Sequence, residues 1–433
     1  MTKQNRHLTK LILLLSVTLL NTCDTKSLAA KNQLKVNQLR VAGNITKDTK
    51  WTADKEYLML GQVFVKAGAT LTIEPGTTIK SIQSDLNGQA PVLVIEQGAK
   101  IIADGTAKAP ITFTSALDEK LLPARGTWGG VVILGKAPIN KDDGQGFIEG
   151  LAGIPYGGKV SDDNSGILRY VRIWYGGRKI GKDNELNGLT FGGVGNKTTV
   201  EYCEVAWNQD DAFEFFGGTV NVKYLSALFG ADDSFDTDQG YTGKGQFLFT
   251  VLGHDSARGF EMDNDAKKPD ITPRSSPKFS NVTIIGLGKE EAESDKSKPL
   301  ILLRRGTGGE FRNLIATGGE DIGVSVDKTS IPLIGQKLIF SPNNIVFTPN
   351  GPFNKDSATL LTARNVDPML RSLPADQKTG LIDPRPGEGS PALTSGDKLP
   401  EDGFFTQVNY SGAFGGELWL KDWSWLDSTK RLP

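Results

Sequence analysis

Trp207-Asn208-Gln209-Asp210-Asp211-Ala212-Phe213-Glu214 is followed by Phe229-Gly230-Ala231-Asp232-Asp233-Ser234-Phe235-Asp236, and then by Val251-Leu252-Gly253-His254-Asp255-Ser256. The offsets are constant, with 232 − 210 = 22, 235 − 213 = 22 and 254 − 232 = 22. Three further residues, Ala257-Arg258-Gly259, then precede a resumption at Phe260-Glu261-Met262-Asp263. A fixed period in the low twenties means stacked coils, each burying its apolar face against the next. The period is too short for helical pairs, and the Leu and Asn skeleton of leucine-rich repeats is missing. A parallel β-helix is the remaining reading.

Working outward, a second signature supports it: apolar, two residues, apolar, one residue, apolar. It recurs as Leu168/Val171/Ile173, Val200/Cys203/Val205, Val222/Leu225/Ala227, Phe279/Val282/Ile284 and Phe311/Leu314/Ala316. Strand alternation puts such residues on one face, and stacking places like on like. The earlier coils, such as Val63 to Ile79, are short β-branched strands punctuated by Gly and Pro-Gly turns. Coils climbing about 4.8 Å each predict about a dozen rungs between 57 and 345. Residues 135–165, 176–187 and 263–278 read as loops projecting from the rod. Beyond Pro342 the repeat fades into turns and an aromatic end (Tyr410, Phe414, Trp419, Trp423, Trp425), read as a cover for an open solenoid end.

The chain has 433 residues, 51 of them Gly and 21 Pro, so many turns are required. A net charge of −1 without a basic run excludes a nucleic-acid partner. Lys3, Arg6 and Lys10 ahead of the apolar stretch Leu11 to Leu20 read as an export signal. Those ten apolar residues are too few to span a bilayer, which needs about 20. Cys23 follows directly in Leu20-Asn21-Thr22-Cys23, a lipidation site that would anchor the protein to a membrane surface. Plain cleavage after Ser27-Leu28-Ala29 is the other reading. The second cysteine, Cys203, falls in an apolar slot and is expected to be a core thiol. The organisation expected is a signal peptide at 1–22, a tether at 23–45, a β-helix at 46–345 and a C-terminal capping region at 346–433.

The whole chain resembles right-handed parallel β-helix proteins of the pectate-lyase-like fold, through Ala69-Thr70-Leu71-Thr72-Ile73-Glu74-Pro75-Gly76-Thr77 and Gly105-Thr106-Ala107-Lys108-Ala109-Pro110-Ile111-Thr112-Phe113. It is also similar to a group of bacterial cell-surface lipoproteins of uncharacterised function. The matching stretches include Gly126-Thr127-Trp128-Gly129-Gly130, Arg305-Gly306-Thr307-Gly308-Gly309 and Tyr410-Ser411-Gly412-Ala413-Phe414-Gly415. That likeness implies a fold and a place, the outer membrane or cell surface of a Gram-negative bacterium, with a periplasmic or secreted form as the alternative. It implies no reaction.

Stacking the opening lines sets Asp210, Asp232 and His254 in one column and Asp211, Asp233 and Asp255 in the next. Glu214, Asp236 and Glu261 form a third, and Asp238 stacks near Asp263. Like charges one rung apart repel, so something must offset them. Lys223, Lys244 or Arg258 would make a salt-bridged acidic edge. Oxygens from successive turns would also suit Ca²⁺, through Asp211, Glu214, Asp236, Asp238, Glu261 and Asp263. A catalytic reading comes from a similarity to polygalacturonases, whose Asn-x-Asp, Asp-Asp and Gly-His-Gly motifs have counterparts in Asn208-Gln209-Asp210, Asp232-Asp233 and Gly253-His254-Asp255. That likeness implies Asp233 as acid, Asp210 and Asp232 holding the water, and His254 tuning them. Asp255 departs from the family's Gly, and Arg304-Arg305 replaces its later Arg-x-Lys clamp only poorly. The leading expectation is a surface protein of non-enzymatic binding or structural role, with polysaccharide as the most plausible ligand, and a pectin-type hydrolase or lyase is the rival.

Overall fold

The computed structural model describes residues 37–85, 87–148, 151, 153–181, 184–288, 298–373 and 378–433. The chain divides into Met1–Leu39 and Arg40–Pro433, and the second unit is the subject here. The signal, Cys23 and the tether up to residue 36 lie outside the described residues. Among the described residues no helix is long and apolar enough to cross a membrane.

Arg40–Pro433 is a right-handed parallel β-helix built around one 23-stranded sheet. Three parallel ladders wrap a single core. On the first face, Ile73, Ala103, Leu168, Val200, Val222, Gly245, Phe279, Phe311 and Phe340 lie one above another. On the second, Ile79, Phe113, Ile173, Val205, Ala227, Thr250, Ile284, Ala316 and Val346 do the same. The third carries Val63, Leu93, Val131, Leu189, Phe213, Phe235, Phe260, Ile301 and Val324. Between Val63 and Val324 that column holds nine described rungs, and strand Gln38–Ile45 and Phe353 extend the ladder at either end, close to the expected dozen. Cys203 is a free, buried thiol within the second ladder, as its slot implied.

The two-residue gap in the recurrent signature has a backbone cause. The long strands Gly166–Trp174, Thr199–Ala206, Asn221–Leu228, Lys244–Val251, Lys278–Ile285 and Gly309–Thr317 each serve both first and second faces. Each turns the corner at one left-handed residue: Tyr170, Tyr202, Tyr224, Phe247, Asn281 and Asn313, with φ between 48° and 60°. A non-glycine residue there costs about 1 kcal/mol or more. Ring stacking offsets that cost in the first four, with centroids 4.5, 4.3 and 4.8 Å apart down the column. Asparagine tolerates this conformation, and its amide is used: Asn281 Nδ2 donates to the Tyr410 carbonyl at 3.0 Å, and Asn313 Oδ1 accepts from the Asp397 amide at 2.6 Å.

The aromatic C-terminal stretch does not cover the end of the solenoid. Ala413, Phe414, Leu418, Leu420, Trp425 and Leu426 pack along the flank, on the outward residues Ala206, Leu228, Phe249, Val251 and Ile285 of the second face. Those outward positions are apolar and need a cover of their own. The last coil is instead closed by Phe353, 5.5 Å from Phe340, and by Leu361, both packed on the main core.

Glu204 lies buried under this flanking strap. Its carboxylate accepts from Trp174 Nε1 (3.0 Å), Ser226 Oγ (3.1 Å) and the Trp425 amide (2.6 Å). Burial outweighs those donors and pushes it up to about 7. A carboxyl that binds its proton more tightly when folded stabilises fully below its unfolded pKa, and that stability is lost as pH rises towards 7. Glu204→Gln is therefore expected to gain on the wild type by about 1–3 kcal/mol between pH 4.5 and 7. Denaturation midpoints across that window measure the difference.

Candidate functional site

The outward side of the third face is acidic. Strands Leu189–Gly192, Phe213–Phe216, Phe235–Asp238 and Phe260–Met262 pair in register, so Thr190, Glu214, Asp236 and Glu261 stand in one column. Their inward neighbours Phe213, Phe235 and Phe260 stack with centroids 5.4 and 4.8 Å apart. Alternation along a strand forces the consequence: fixing the rings inside fixes the carboxylates outside. The loop at 135–165, expected to project, packs back on this face through Ile139, Ile148, Leu151 and Tyr156, and Ile148 becomes a wall of the cleft. Gly130 starts a neighbouring rung at φ 116°, where a Cβ would stand 2.0 Å from the Asn187 carbonyl oxygen. Only glycine lets Asn187 come that close, and Asn187 donates to Glu214 from the cleft floor.

The cleft encloses about 210 Å³ and gathers Asp210, Asp211, Glu214, Asp236, Asp238, Glu261 and Asp263. Asp233 sits just beneath, its amide donating to Asp211 Oδ1 at 2.9 Å. Asn208 ties down the turn before the strand, its Nδ2 donating to the Asp210 and Asp211 carbonyls at 3.1 and 2.7 Å.

Sequence reasoning undervalued the opposite wall. Arg304 pairs with Glu261 and, at 2.8 Å, with Asp263, while Arg305 reaches Asp263 at 2.6 Å. Arg258 reaches Glu261 at 2.7 Å and Asp233 at 3.5 Å, as expected of one proposed counter-ion. Lys223 and Lys244 do not serve. They face the C-terminal segment, at Thr406 and Asp402. The signal for Arg304 was its place just after Leu303, which pairs with Met262 and so sets the following residue beside Asp263.

Three arginines do not neutralise the cluster. Burial, then the charges of Asp236 and Asp233, hold Asp211 well above the usual carboxylate range. Burial, then Glu261, does so for Asp233, and burial, then Glu214, for Asp236. Burial raises Asp232 and Glu261 as well, and pushes Asp238 up to about 6. Three triads have ligand oxygens within 4.8 Å of one another: Asp210/Asp211/Asp232, Asp211/Glu214/Asp236 and Asp233/Asp236/Glu261. Asp211 and Asp236 each belong to two of them, so the triads form one continuous track. Among the described residues, buried acceptors remain without a hydrogen-bond partner there, namely Asp233 Oδ1, Asp236 Oδ1 and Asn187 Oδ1. An all-oxygen donor set of this kind fits Ca²⁺ or another hard cation, and lacks the nitrogen and sulfur that zinc prefers.

His254 and Asp255 depart from their expected columns. Phe216 pairs with Asp238 at an offset of 22, Leu228 with Val251 at 23, and Phe235 with Phe260 at 25. One extra residue therefore enters between Asp238 and Gly245 and two more between Val251 and Phe260, not all three after Ser256 as the spacing suggested. His254 is carried to a small separate cavity with Lys298 and Glu320. Asp255 is carried to Arg125, whose Nη2 lies 3.0 Å from its Oδ1 and which holds the carboxyl low despite burial. The four-residue set Asp210, Asp232, Asp233 and His254 is thus brought together only in its three aspartates.

A three-sided parallel coil defines a right-handed parallel β-helix, here with an acidic outer track on one face. The profile of the pectate-lyase-like β-helix domain matches residues 43–362, and the chain belongs to that family. No curated protein matches the sequence.

Proposed function

We propose that the protein is an exported, lipid-anchored surface β-helix whose acidic track takes Ca²⁺ and, through it, engages a polysaccharide without cleaving it. The observation that carries this reading is the continuous run of oxygen triads with buried, unpartnered acceptors at Asp233, Asp236 and Asn187. A cation supplies the counter-charge that Arg258, Arg304 and Arg305 leave short, and a partly open cleft leaves coordination positions for sugar oxygens or carboxylates. Membership of a pectate-lyase-like family supports carbohydrate as the ligand class. Anchoring through Cys23 accounts for the apolar stretch ahead of it.

Asp236→Asn is the informative variant, since Asp236 belongs to two triads. The wild type is expected to bind Ca²⁺ more tightly as pH rises through 6, where Asp238 ionises, and the variant to lose most of that binding. A hydrolytic reading keeps one specific support: burial and Glu261 hold the Asp233 carboxyl well above the usual range, whereas Arg258 and Lys179 counter the rise that burial gives its neighbour Asp232, an asymmetry that suits an acid–base pair. Reducing-sugar release from acidic polysaccharides, abolished by Asp233→Asn, would replace the binding-only reading with that one.

A further inference from the structure

We propose that Arg258 is an internal competitor for Ca²⁺: its guanidinium holds one seat of the acidic track and must swing out before an ion enters there. The proposal rests on the Ca²⁺ reading of that cleft and adds the residue that sets its affinity.

The seat is the triad Asp233, Asp236 and Glu261, whose ligand oxygens all lie within 4.8 Å of one another. Ca²⁺ stands about 2.3–2.6 Å from each ligand, so oxygens sharing one ion are at most about 5 Å apart. The triad therefore has the span of a single ion's shell. The side chains of Asp233 and Glu261 are only 4 % and 8 % exposed. A neutral oxygen points the same way. Thr190 stands two rungs from Asp236 in the same outward column, wholly buried, and its hydroxyl lacks a partner at the cleft.

Arg258 fills this seat badly. Its Nη1 serves both contacts, Glu261 Oε2 at 2.7 Å and Asp233 Oδ2 at 3.5 Å, the second at the outer limit of a hydrogen bond. Its Nε is buried without an acceptor, while Asp233 Oδ1 and Asp236 Oδ1 are buried without a donor. A planar fork gains most when both arms meet one carboxylate, and that match is not made here. Ca²⁺ accepts oxygens from many directions and so satisfies both orphaned carboxylate oxygens at once. Glu261 keeps Arg304 as a partner when Arg258 leaves.

The way out is built into the coil. Arg258 lies between Val251 and Phe260, where the chain is longer than in the preceding coil. Its backbone is pinned, the carbonyl accepting from the Ser234 amide at 3.0 Å, whereas its side chain is 22 % exposed. The side chain can therefore turn to solvent without moving the rung.

Calorimetric titration of CaCl₂ into the full chain tests this. Arg258→Gln is expected to bind Ca²⁺ about tenfold more tightly than the wild type. Arg305→Gln removes an equal charge from the same cleft but from beside Asp263, outside the triad, and is expected to tighten binding less than about threefold. A second readout holds even where the ion-free variant is loosened: millimolar Ca²⁺ is expected to raise the unfolding midpoint of Arg258→Gln more than that of the wild type. Wild-type binding that Arg258→Gln leaves unchanged or weakens, or an equal gain in Arg305→Gln, overturns the competitor role while the Ca²⁺ site stands. No binding by either chain removes the Ca²⁺ reading and this proposal together.

Discussion

Phe235→Ala lowers the stability of the β-helix by about 3–5 kcal/mol, the cost of emptying a well-packed aromatic site. Phe235 is fully buried and lies nearly parallel to Phe213, at 10° and 5.4 Å, with Phe260 at 4.8 Å on its other side. In a solenoid each rung holds only its neighbours, so this one deletion loosens two interfaces at once. The effect reaches the cleft, because Asp236 follows directly on the same strand and inherits its position from that ring. Urea denaturation is expected to show a lower midpoint with little change in slope. A loss under about 1 kcal/mol would mean the column does not carry the fold.

The second large effect belongs to the arginine wall. Arg304 neutralises both Glu261 and Asp263, whose side chains are only 8 % and 5 % exposed. Arg304→Ala leaves two nearly buried carboxylates facing Asp236 and is expected to cost about 3 kcal/mol. Burial alone would lower the Arg304 guanidinium pKa, but the hydrogen bond and charge of Asp263 overcome that and raise it. Ca²⁺ should recover part of the deficit, since a cation in the track replaces the missing charge, whereas Mg²⁺ fits a flexible multi-oxygen site less well. Thermal unfolding of the variant with and without each ion tests this. A mutant as stable as wild type in the absence of ions would contradict the role given to Arg304.

Much of this was legible in the sequence because coil length was constant where it mattered. The 22-residue offset places Phe213 on Phe235 and Glu214 on Asp236, as the strand register has it. The offset of 25 to Phe260 and Glu261 was equally readable. What spacing cannot say is where within a coil the three extra residues bulge, and His254 and Asp255 were misplaced for that reason alone. The left-handed corner at Tyr170, Tyr202 and Tyr224 left its trace as the two-residue gap, though the pattern does not reveal its backbone cause. The strap escaped because its partners, such as Phe249 and Ile285, read as ordinary strand residues until both sides of the second face are known to be covered. Arg304 and Arg305 reach Asp263 across more than forty residues of chain, a distance no local motif spans.

Isothermal titration of Ca²⁺ into the full chain, alongside Asp236→Asn, tests the central claim most directly. Saturable binding by the wild type is predicted, with a matching rise in stability of about 2.7 kcal/mol at a hundredfold excess over Kd, and loss of both in the variant. A wild type that neither binds nor is stabilised by millimolar Ca²⁺, or a variant that binds as well as its parent, would contradict it.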